Sequence, residues 1–354
     1  MTFQSYNEAD HVITRFIEKG DGDFETLALA LHDLQIRHVP AIAALCQNRD
    51  ITPSSIRQTH QIPAIPTTAF RDLAITSIPE RDRALHFESS GTTGSKPSRH
   101  WHHEKSLELY KTSLNPPFKK HVLNGKEWKG RTLALTPLPA EAPYSSLAHM
   151  VGHVLERDAI HAAESTNNGW KINWQVCDSA CEQATKAAAP LLIFGPAFSF
   201  LHWLDSTETL HKLPKGSRIM ETGGYKGRSR ELPKNEFHIL LSERLGVPES
   251  HIVCEYGMCE LGSQAYDRET GKNKERVFRF PHWAKPIIIN PETGNTCVEG
   301  EIGLLRIIDL VNAYSSVAIQ TQDLARSVSN GFELLGRDRT AAPRGCSLNL
   351  LQQT

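Results

Sequence analysis

The sequence predicts an α/β protein with a β-rich C-terminal lobe, and three observations along the chain support this prediction. Residues 1–80 show helical periodicity, with Ile13, Phe16 and Ile17 on one face. From about residue 84, short apolar runs, Gly or Ser turns and helical patterns recur, which is typical of layered α/β domains. From about residue 277 the helical patterns end, and strand-like runs separated by turns replace them.

The alternation of apolar runs places the central elements. The runs "TLALTPL" (132–138) and "LLIF" (191–194) predict buried strands, and 145–155 and 198–204 predict the helices that follow them. "RIMETGG" (218–224), "NEFHILLSERLG" (235–246) and "HIVCEYG" (251–257) continue the series as strand, helix and strand. Beyond residue 277, five runs predict antiparallel strands: "VFRF", "KPIIIN", "GEIGLLRIID", "SVAIQTQDLARSV" and "FELLGR".

These patterns divide the 354 residues into four parts. We predict a helical N-terminal segment over 1–80, α/β lobes over 81–276, a β-rich lobe over 277–340 and a mobile tail over 341–354.

Composition and charge exclude several classes of protein. The chain has 39 basic and 40 acidic residues, so no overall field favours nucleic acid or an anionic membrane. Its first residues lack the apolar core of a secretory signal. The most apolar window, 187–204, is interrupted by two prolines and a glycine, which favours a strand, a turn and a helix over a membrane span. Seven cysteines without a CxxC pair indicate a reducing compartment, so we expect a cytoplasmic protein.

The histidine cluster "HWHH" (100–103) has two interpretations. It could bind a metal ion, but no second cluster with suitable spacing accompanies it. We therefore favour structural or surface histidines.

A glycine-rich segment, "SSGTTGSKP" (89–97), follows the predicted strand at 85–87. Its glycines would let backbone N–H groups turn toward an anion, its hydroxyls would donate hydrogen bonds, and Lys96 would add a positive charge. The spacing differs from a Walker A loop. A flexible surface loop explains the composition equally well.

Three further segments follow predicted strands, at the edge where α/β sheets bind ligands. In "ETGG", Gly223 and Gly224 would let a flat ring lie against bare backbone. In "YGMCE", Tyr256 precedes Glu260 by four residues, and Glu260 would suit a magnesium ion that bridges phosphates. In "QTQDLAR", Asp323 would accept both hydroxyls of a ribose. Taken singly, each also fits a plain loop, surface or turn residue.

In their order and spacing, these segments resemble the adenylate-forming superfamily of acyl-CoA synthetases, adenylation domains and luciferases. The closest resemblance is to the acyl-protein synthetase (LuxE-type) branch, through "IPTTAFRDL", "FESSGTTGSKPS", "GGYKGRS", "YGMCELGSQAYD" and "RGCSL". It covers residues from about 60 to the end. The resemblance implies a layered α/β adenylate-forming N-terminal domain, with nucleotide- and acyl-binding lobes over 81–276, and no small C-terminal lid domain.

The resemblance also implies a function. ATP and Mg²⁺ would activate a carboxylic acid of the fatty-acyl type as an acyl-adenylate, and an acyl reductase or another acyl-transfer protein would be the partner. Runner-up interpretations are an acyl- or aryl-CoA ligase of the phenylacetate type and a nucleotide-binding subunit without turnover. By motif match, the β- and γ-phosphates would contact Ser89, Ser90, Gly91, Thr92, Thr93, Gly94 and Lys96. The adenine would lie against Gly223, Gly224 and Tyr256, Mg²⁺ on Glu260, and the ribose on Asp323 and Arg337.

The sequence departs from the family pattern at Cys259, where a threonine is usual, and at Gln322, where a glycine is usual. The catalytic lysine of the lid is also expected to be absent. Lys226 is a candidate to supply that positive charge, although a solvated loop lysine is an equal interpretation. The resemblance implies that Cys346 accepts the acyl group, and neighbouring arginines would favour its thiolate. An incidental tail cysteine is the alternative.

The acyl group should occupy an apolar pocket. We predict that the 190–204 segment, with Phe198 and Phe200, and "PYSSLAHM", with His149, form its walls. A core helix would show the same pattern, so the chain length of the acid is not predicted.

Overall fold

The structure is a computed structural model that describes residues 1–89, 96–155, 158–166, 169–225, 229–272 and 275–337. The helices are α1 Tyr6–Lys19, α2 Phe24–His38, α3 Pro40–Gln47, α4 Glu104–His121, α5 Ser146–Val154, α6 Trp174–Lys186, α7 Ala197–Asp205 and α8 Lys234–Leu245. The strands are β1 Ile65–Pro66, β2 Leu85–Glu88, β3 Arg99–His102, β4 Arg131–Ala134, β5 Ile160–His161, β6 Ala163–Thr166, β7 Gly169–Ile172, β8 Leu191–Pro196, β9 Arg218–Thr222, β10 Ile252–Tyr256, β11 Ala265–Tyr266, β12 Ala284–Ile289, β13 Ile302–Asp309, β14 Ala318–Val328 and β15 Gly331–Arg337.

The N-terminal segment is helical because its sequence provides both caps and an apolar face. Ser5 caps α1 by accepting a hydrogen bond from the Glu8 amide at 3.3 Å. Gly20 ends the helix in the left-handed conformation, at φ 71°. The predicted face of Ile13, Phe16 and Ile17 is buried. This face packs against part of the β-rich lobe, so the N-terminal helices cover one side of that lobe.

The α/β region is built on a six-stranded sheet in the order β11-β10-β9-β8-β4-β5. Neighbouring strands from β10 to β5 are parallel, and β11 is antiparallel. The apolar runs that predicted these strands are buried on both faces, as expected of a parallel sheet between helices. The carboxyl ends of β8, β9 and β10 therefore meet at one edge, where Gly223 and Gly257 follow directly.

The β-rich lobe is a second sheet in the order β1-β14-β13-β12, with β15 on β14. Four of the five predicted C-terminal strands form here or at its edge, but "VFRF" does not become a strand. Phe278 makes only an isolated bridge to Phe332, because the chain then turns toward β12. The sequence also missed β1, which pairs in parallel with β14 through Ile65 and Ile319. This pairing ties the N-terminal segment to the strand that carries Asp323.

A two-stranded hairpin of β2 and β3 flanks the glycine-rich segment. Its ends are held together because the Ser89 amide donates to the Ser98 carbonyl at 3.1 Å, and the Ser98 amide donates to Ser89 Oγ at 2.9 Å. His100 and His102 on β3 are buried. His100 Nδ1–H donates to the Cys259 carbonyl at 2.9 Å, so this histidine supports the loop that carries Glu260.

In the part of the chain that the structure describes, no helix has the length and hydropathy that a bilayer crossing requires.

Candidate active site

A cavity of about 1260 Å³ opens at the carboxyl edge of the parallel sheet, against the β-rich lobe. The predicted site residues that line it are Ser89, Gly223, Gly224, Tyr256, Glu260, Asp323 and Arg337. Lys96 does not line it. Its ammonium lies 3.9 Å from Asp72 at an exposed ion pair. The remaining predicted residues lie outside the described residues, namely Ser90, Gly91, Thr92, Thr93, Gly94, Lys226 and Cys346.

Two neighbouring strands build the predicted ribose side of the cavity. Asp323 on β14 lies opposite Arg337 on β15 in the strand register. The Tyr256 hydroxyl donates to Asp323 Oδ2 at 2.7 Å, and Arg337 Nε lies 3.4 Å from Asp323 Oδ1. Burial, together with the Asp323 charge, raises the pKa of Tyr256 well above its ordinary value, so its phenol stays protonated. Asp323 is thus held as an oriented carboxylate at the cavity wall.

The loop that carries Glu260 is fixed by residues far along the chain. Asp309 Oδ2 accepts hydrogen bonds from the Gly262 and Ser263 amides, at 3.0 and 2.9 Å. Asn312 Nδ2 donates to the Glu260 carbonyl at 2.9 Å. Burial raises the pKa of Asp309 to about 6, although these hydrogen bonds oppose the shift. The backbone of the loop is therefore anchored to β13 and the turn that follows it.

The Glu260 side chain is itself nearly buried, with 5% of its surface exposed, and faces the cavity. The Cys259 thiol donates to its Oε2 at 3.1 Å. Over the described ranges, no group of three His, Cys, Asp or Glu side chains could hold a metal ion. Mg²⁺ usually binds one or two carboxylates and takes its other ligands from phosphates and water. A single carboxylate in a cavity fits that mode of binding.

The predicted adenine wall has an open glycine surface and a charged support behind it. A Cβ at Gly223 would have nothing within 4 Å, and Gly224 has φ 86°, which favours glycine. Behind this turn, the fully buried Glu221 accepts hydrogen bonds from Lys234 Nζ at 2.7 Å and His238 Nε2 at 2.9 Å. Burial by itself would raise the pKa of Glu221, but Lys234 and His238 outweigh it and hold the pKa well below its ordinary value.

The opposite end of the cavity is apolar. Phe198 lines it as predicted, but Phe200 and His149 do not. Phe200 is two residues further along α7, so it points to the other side of the helix and packs against Phe237, with ring centroids 6.2 Å apart. His149 Nε2–H donates to the Pro143 carbonyl at 2.9 Å. The apolar or aromatic lining residues include Tyr110, Tyr144, Leu147, Met150, Trp170, Pro196 and Phe198.

Sequence reasoning missed several polar lining residues. Arg71, Lys234 and Arg276 line the cavity, and none was singled out. Arg71 lies in the "IPTTAFRDL" motif that carried part of the resemblance, so a signal for it was present. Lys234 and Arg276 carried no such signal.

The family model for acyl-protein synthetase, LuxE, matches residues 26–354. The chain belongs to this family. A curated relative is the long-chain-fatty-acid–luciferin-component ligase of Aliivibrio fischeri, which is 22% identical over 320 residues, covering 86% of this chain and 82% of the relative. These findings confirm the predicted family, and they confirm the prediction that the protein is an enzyme of the acyl-protein synthetase type.

Solved structures of adenylate-forming enzymes share the fold. An open conformation of 2-hydroxyisobutyryl-CoA ligase, with 2-HIB-AMP and CoA, has a TM-score of 0.62 at 10% identity, covering 88% of this chain and 69% of that one. An ATP-bound RpMatB-BxBclM chimera has a TM-score of 0.51 at 14% identity, covering 74% of this chain. The chain spans 49% of the length of that chimera, and also of ATP-bound MatB from Rhodopseudomonas palustris.

These likenesses confirm the predicted α/β adenylate-forming fold. The absence of a lid, the domain boundaries and the roles of the site residues stay predictions.

Proposed function

We propose that this protein is an ATP-dependent ligase that activates a fatty acid as an acyl-adenylate and transfers the acyl group to Cys346 as a thioester. Family membership supports the reaction class, and the name of the curated relative supports a long-chain fatty acid as substrate. One observation carries the proposal. The segments of Asp323, Glu260 and Gly223 line a single cavity, and the other end of that cavity is apolar. Such a cavity can hold a nucleotide and an acyl chain side by side.

The first half-reaction joins two anions. A carboxylate oxygen of the acid attacks the α-phosphorus of ATP, the bond from that phosphorus to the bridging oxygen breaks, and pyrophosphate leaves. Alignment and charge neutralisation are therefore the main tasks of the protein. Mg²⁺, when held by Glu260, would neutralise phosphate charge.

Each wall of the cavity has a task in this proposal. Asp323 accepts hydrogen bonds from the ribose hydroxyls, with Arg337 beside it, while Gly223, Gly224 and Tyr256 frame the adenine. The segment from Ser89 to Gly94 holds the β- and γ-phosphates. Lys226 supplies the positive charge between the carboxylate and the α-phosphate.

In the second half-reaction the Cys346 thiolate attacks the acyl carbon of the adenylate. A carbon–sulfur bond forms, the bond from the acyl carbon to the phosphate oxygen breaks, and AMP leaves. The six cysteines in the described residues are buried thiols, and burial raises the pKa of those on α6 and of Cys254. They are therefore poor nucleophiles. The thioester would pass to an acyl-reductase partner in the cytoplasm.

Exchange of labelled pyrophosphate into ATP, measured with a series of fatty acids, tests the proposal. We expect exchange that depends on the acid, and a hydroxylamine-sensitive acyl label on the protein. Cys346→Ser should keep exchange and lose the label, whereas the matched control Cys297→Ser should keep both.

Three results would contradict the proposal at different points. ATP binding without exchange for any acid would indicate a nucleotide-binding subunit. Rapid acyl transfer to free CoA by Cys346→Ser would indicate a CoA ligase. A thioester label that maps to another cysteine would remove Cys346 from the mechanism.

A further inference from the structure

Among the described residues, four cationic side chains line the cavity, and three of them are paired with carboxylates. Lys234 pairs with Glu221 at 2.7 Å, Arg337 with Asp323 at 3.4 Å, and Arg276 with Asp267. Arg71 differs. Over the same ranges no carboxylate lies within ion-pair distance of its guanidinium, although the residue is partly buried. An arginine that lines a cavity and has no carboxylate partner is available to bind an anionic ligand.

The position of Arg71 is fixed by the fold. It is the last residue of a short 3₁₀ helix, Thr67–Arg71, that directly follows β1, and β1 is paired with β14. Phe70, beside Arg71, is 1% exposed and anchors this turn in the core. The backbone at Arg71 is therefore anchored to the core and to β14.

The 3₁₀ helix contacts the hairpin of β2 and β3 at the end from which the glycine-rich segment continues. The Ser98 hydroxyl donates to the Thr67 carbonyl at 3.4 Å, which joins the first residue of the 3₁₀ helix to the hairpin. Thr67, Arg71, Ser89 and Ser98 share the cavity lining. The neighbouring carboxylate, Asp72, forms its ion pair with Lys96, at 3.9 Å, and not with Arg71.

We propose that Arg71 binds the β- and γ-phosphates of ATP and holds the pyrophosphate as it leaves. This inference rests on the proposed function, since it needs ATP in the cavity. The planar guanidinium can donate two hydrogen bonds to one phosphate group. The carboxylate of the acid is the competing anion, but the hydrogen bond from Ser98 to Thr67, which joins the Arg71 turn to the hairpin, favours the phosphates.

Binding of three probes to the full chain tests the inference: MgATP, magnesium pyrophosphate and AMP, each measured by isothermal titration calorimetry. Arg71→Met should weaken ATP and pyrophosphate binding by about 10- to 100-fold, the effect of losing a charge-assisted hydrogen bond. AMP binding should stay within about twofold, since AMP lacks the outer phosphates. Arg71→Lys should fall between, because lysine keeps the charge but loses the planar fork. Arg57→Met is the matched control, since Arg57 is exposed and does not line the cavity.

The outcomes separate this inference from the proposed function. Equal affinity of wild type and Arg71→Met for ATP and pyrophosphate would overturn the role of Arg71 alone. A higher KM for the acid with unchanged pyrophosphate binding would instead assign Arg71 to the substrate carboxylate. Loss of AMP binding as well would show a structural defect rather than phosphate recognition, and would also refute the inference. A wild-type chain that binds neither ATP nor pyrophosphate would overturn the proposed function together with it.

Discussion

Replacement of Glu221 by glutamine should destabilise the protein, because it removes the anion at the centre of a buried charged group. Glu221 has no exposed surface and accepts hydrogen bonds from Lys234 and His238. Glutamine has nearly the same shape, so packing is retained and the change removes mainly the charge. The site lies directly before Thr222 and Gly223, so the predicted adenine wall depends on it.

The size of the expected loss in the free energy of unfolding follows from how deeply each partner of Glu221 is buried. Removing one partner of a buried ion pair typically costs about 3–5 kcal/mol in the free energy of unfolding. The Lys234 side chain is 44% exposed and can turn to water once its partner is lost. We therefore expect a loss of about 2–3 kcal/mol at pH 7 for Glu221→Gln.

The loss should depend on pH in a defined direction. The folded-state pKa of Glu221 is held below its ordinary value of 4.5, so the contribution of this residue is present above about pH 4.5 and is lost as the pH falls. At pH 4, below that ordinary value, the Glu221 carboxyl is mostly protonated in the unfolded chain but not in the folded chain. The difference between wild type and Glu221→Gln should then shrink by about 0.8 kcal/mol.

Urea unfolding at pH 7 and pH 4, followed by tryptophan fluorescence and by far-ultraviolet circular dichroism, measures both effects, and coincident transitions test two-state behaviour. Glu243→Gln is the matched control, since Glu243 is an exposed residue of α8, and it should change stability by less than about 0.5 kcal/mol. A loss below about 1 kcal/mol for Glu221→Gln at pH 7, or a difference that grows toward pH 4, would refute the reasoning.

Three further predictions concern activity. Glu260→Gln should keep the fold and lower acid-dependent pyrophosphate exchange by roughly two to four orders of magnitude, and exchange at the wild-type rate would contradict the assignment. Asp323→Ala should raise the KM for ATP by about 10- to 100-fold and leave the KM for the acid unchanged, because it removes the acceptor for the ribose hydroxyls. Phe198→Leu should change the KM for long-chain acids by about tenfold, whereas the matched change Phe200→Leu should lower stability and leave that KM unaltered. Equal effects of the two phenylalanine changes on the KM would contradict the assignment of the apolar pocket.

Local patterns were sufficient to predict much of this fold. The buried run at 191–194 predicted β8, and the Gly-Pro pair predicted that a helix would start next, because a short apolar run that ends in Gly-Pro is incompatible with a long helix. Gly195 and Pro196, predicted as a turn, are instead the last two residues of β8, and α7 begins directly after them. Gly223 and Gly224 were found from their position after a strand. "VFRF" was assigned wrongly because alternation measures only the tendency to form a strand. Whether a partner strand is available depends on the rest of the chain.

The parts of the site that the sequence did not reveal depend on contacts between distant segments. Glu260 was found as a residue type in a motif, but the Asp309 carboxylate and the Asn312 amide that fix its loop carried no signal of their own. Arg71 reaches the cavity because Ile65 pairs with Ile319, and a two-residue strand is too short to be recognised by periodicity. In both cases the β-rich lobe positions residues at the edge of the parallel sheet. Changes within β13 or β14 should therefore alter nucleotide binding even where the changed side chain does not face the cavity.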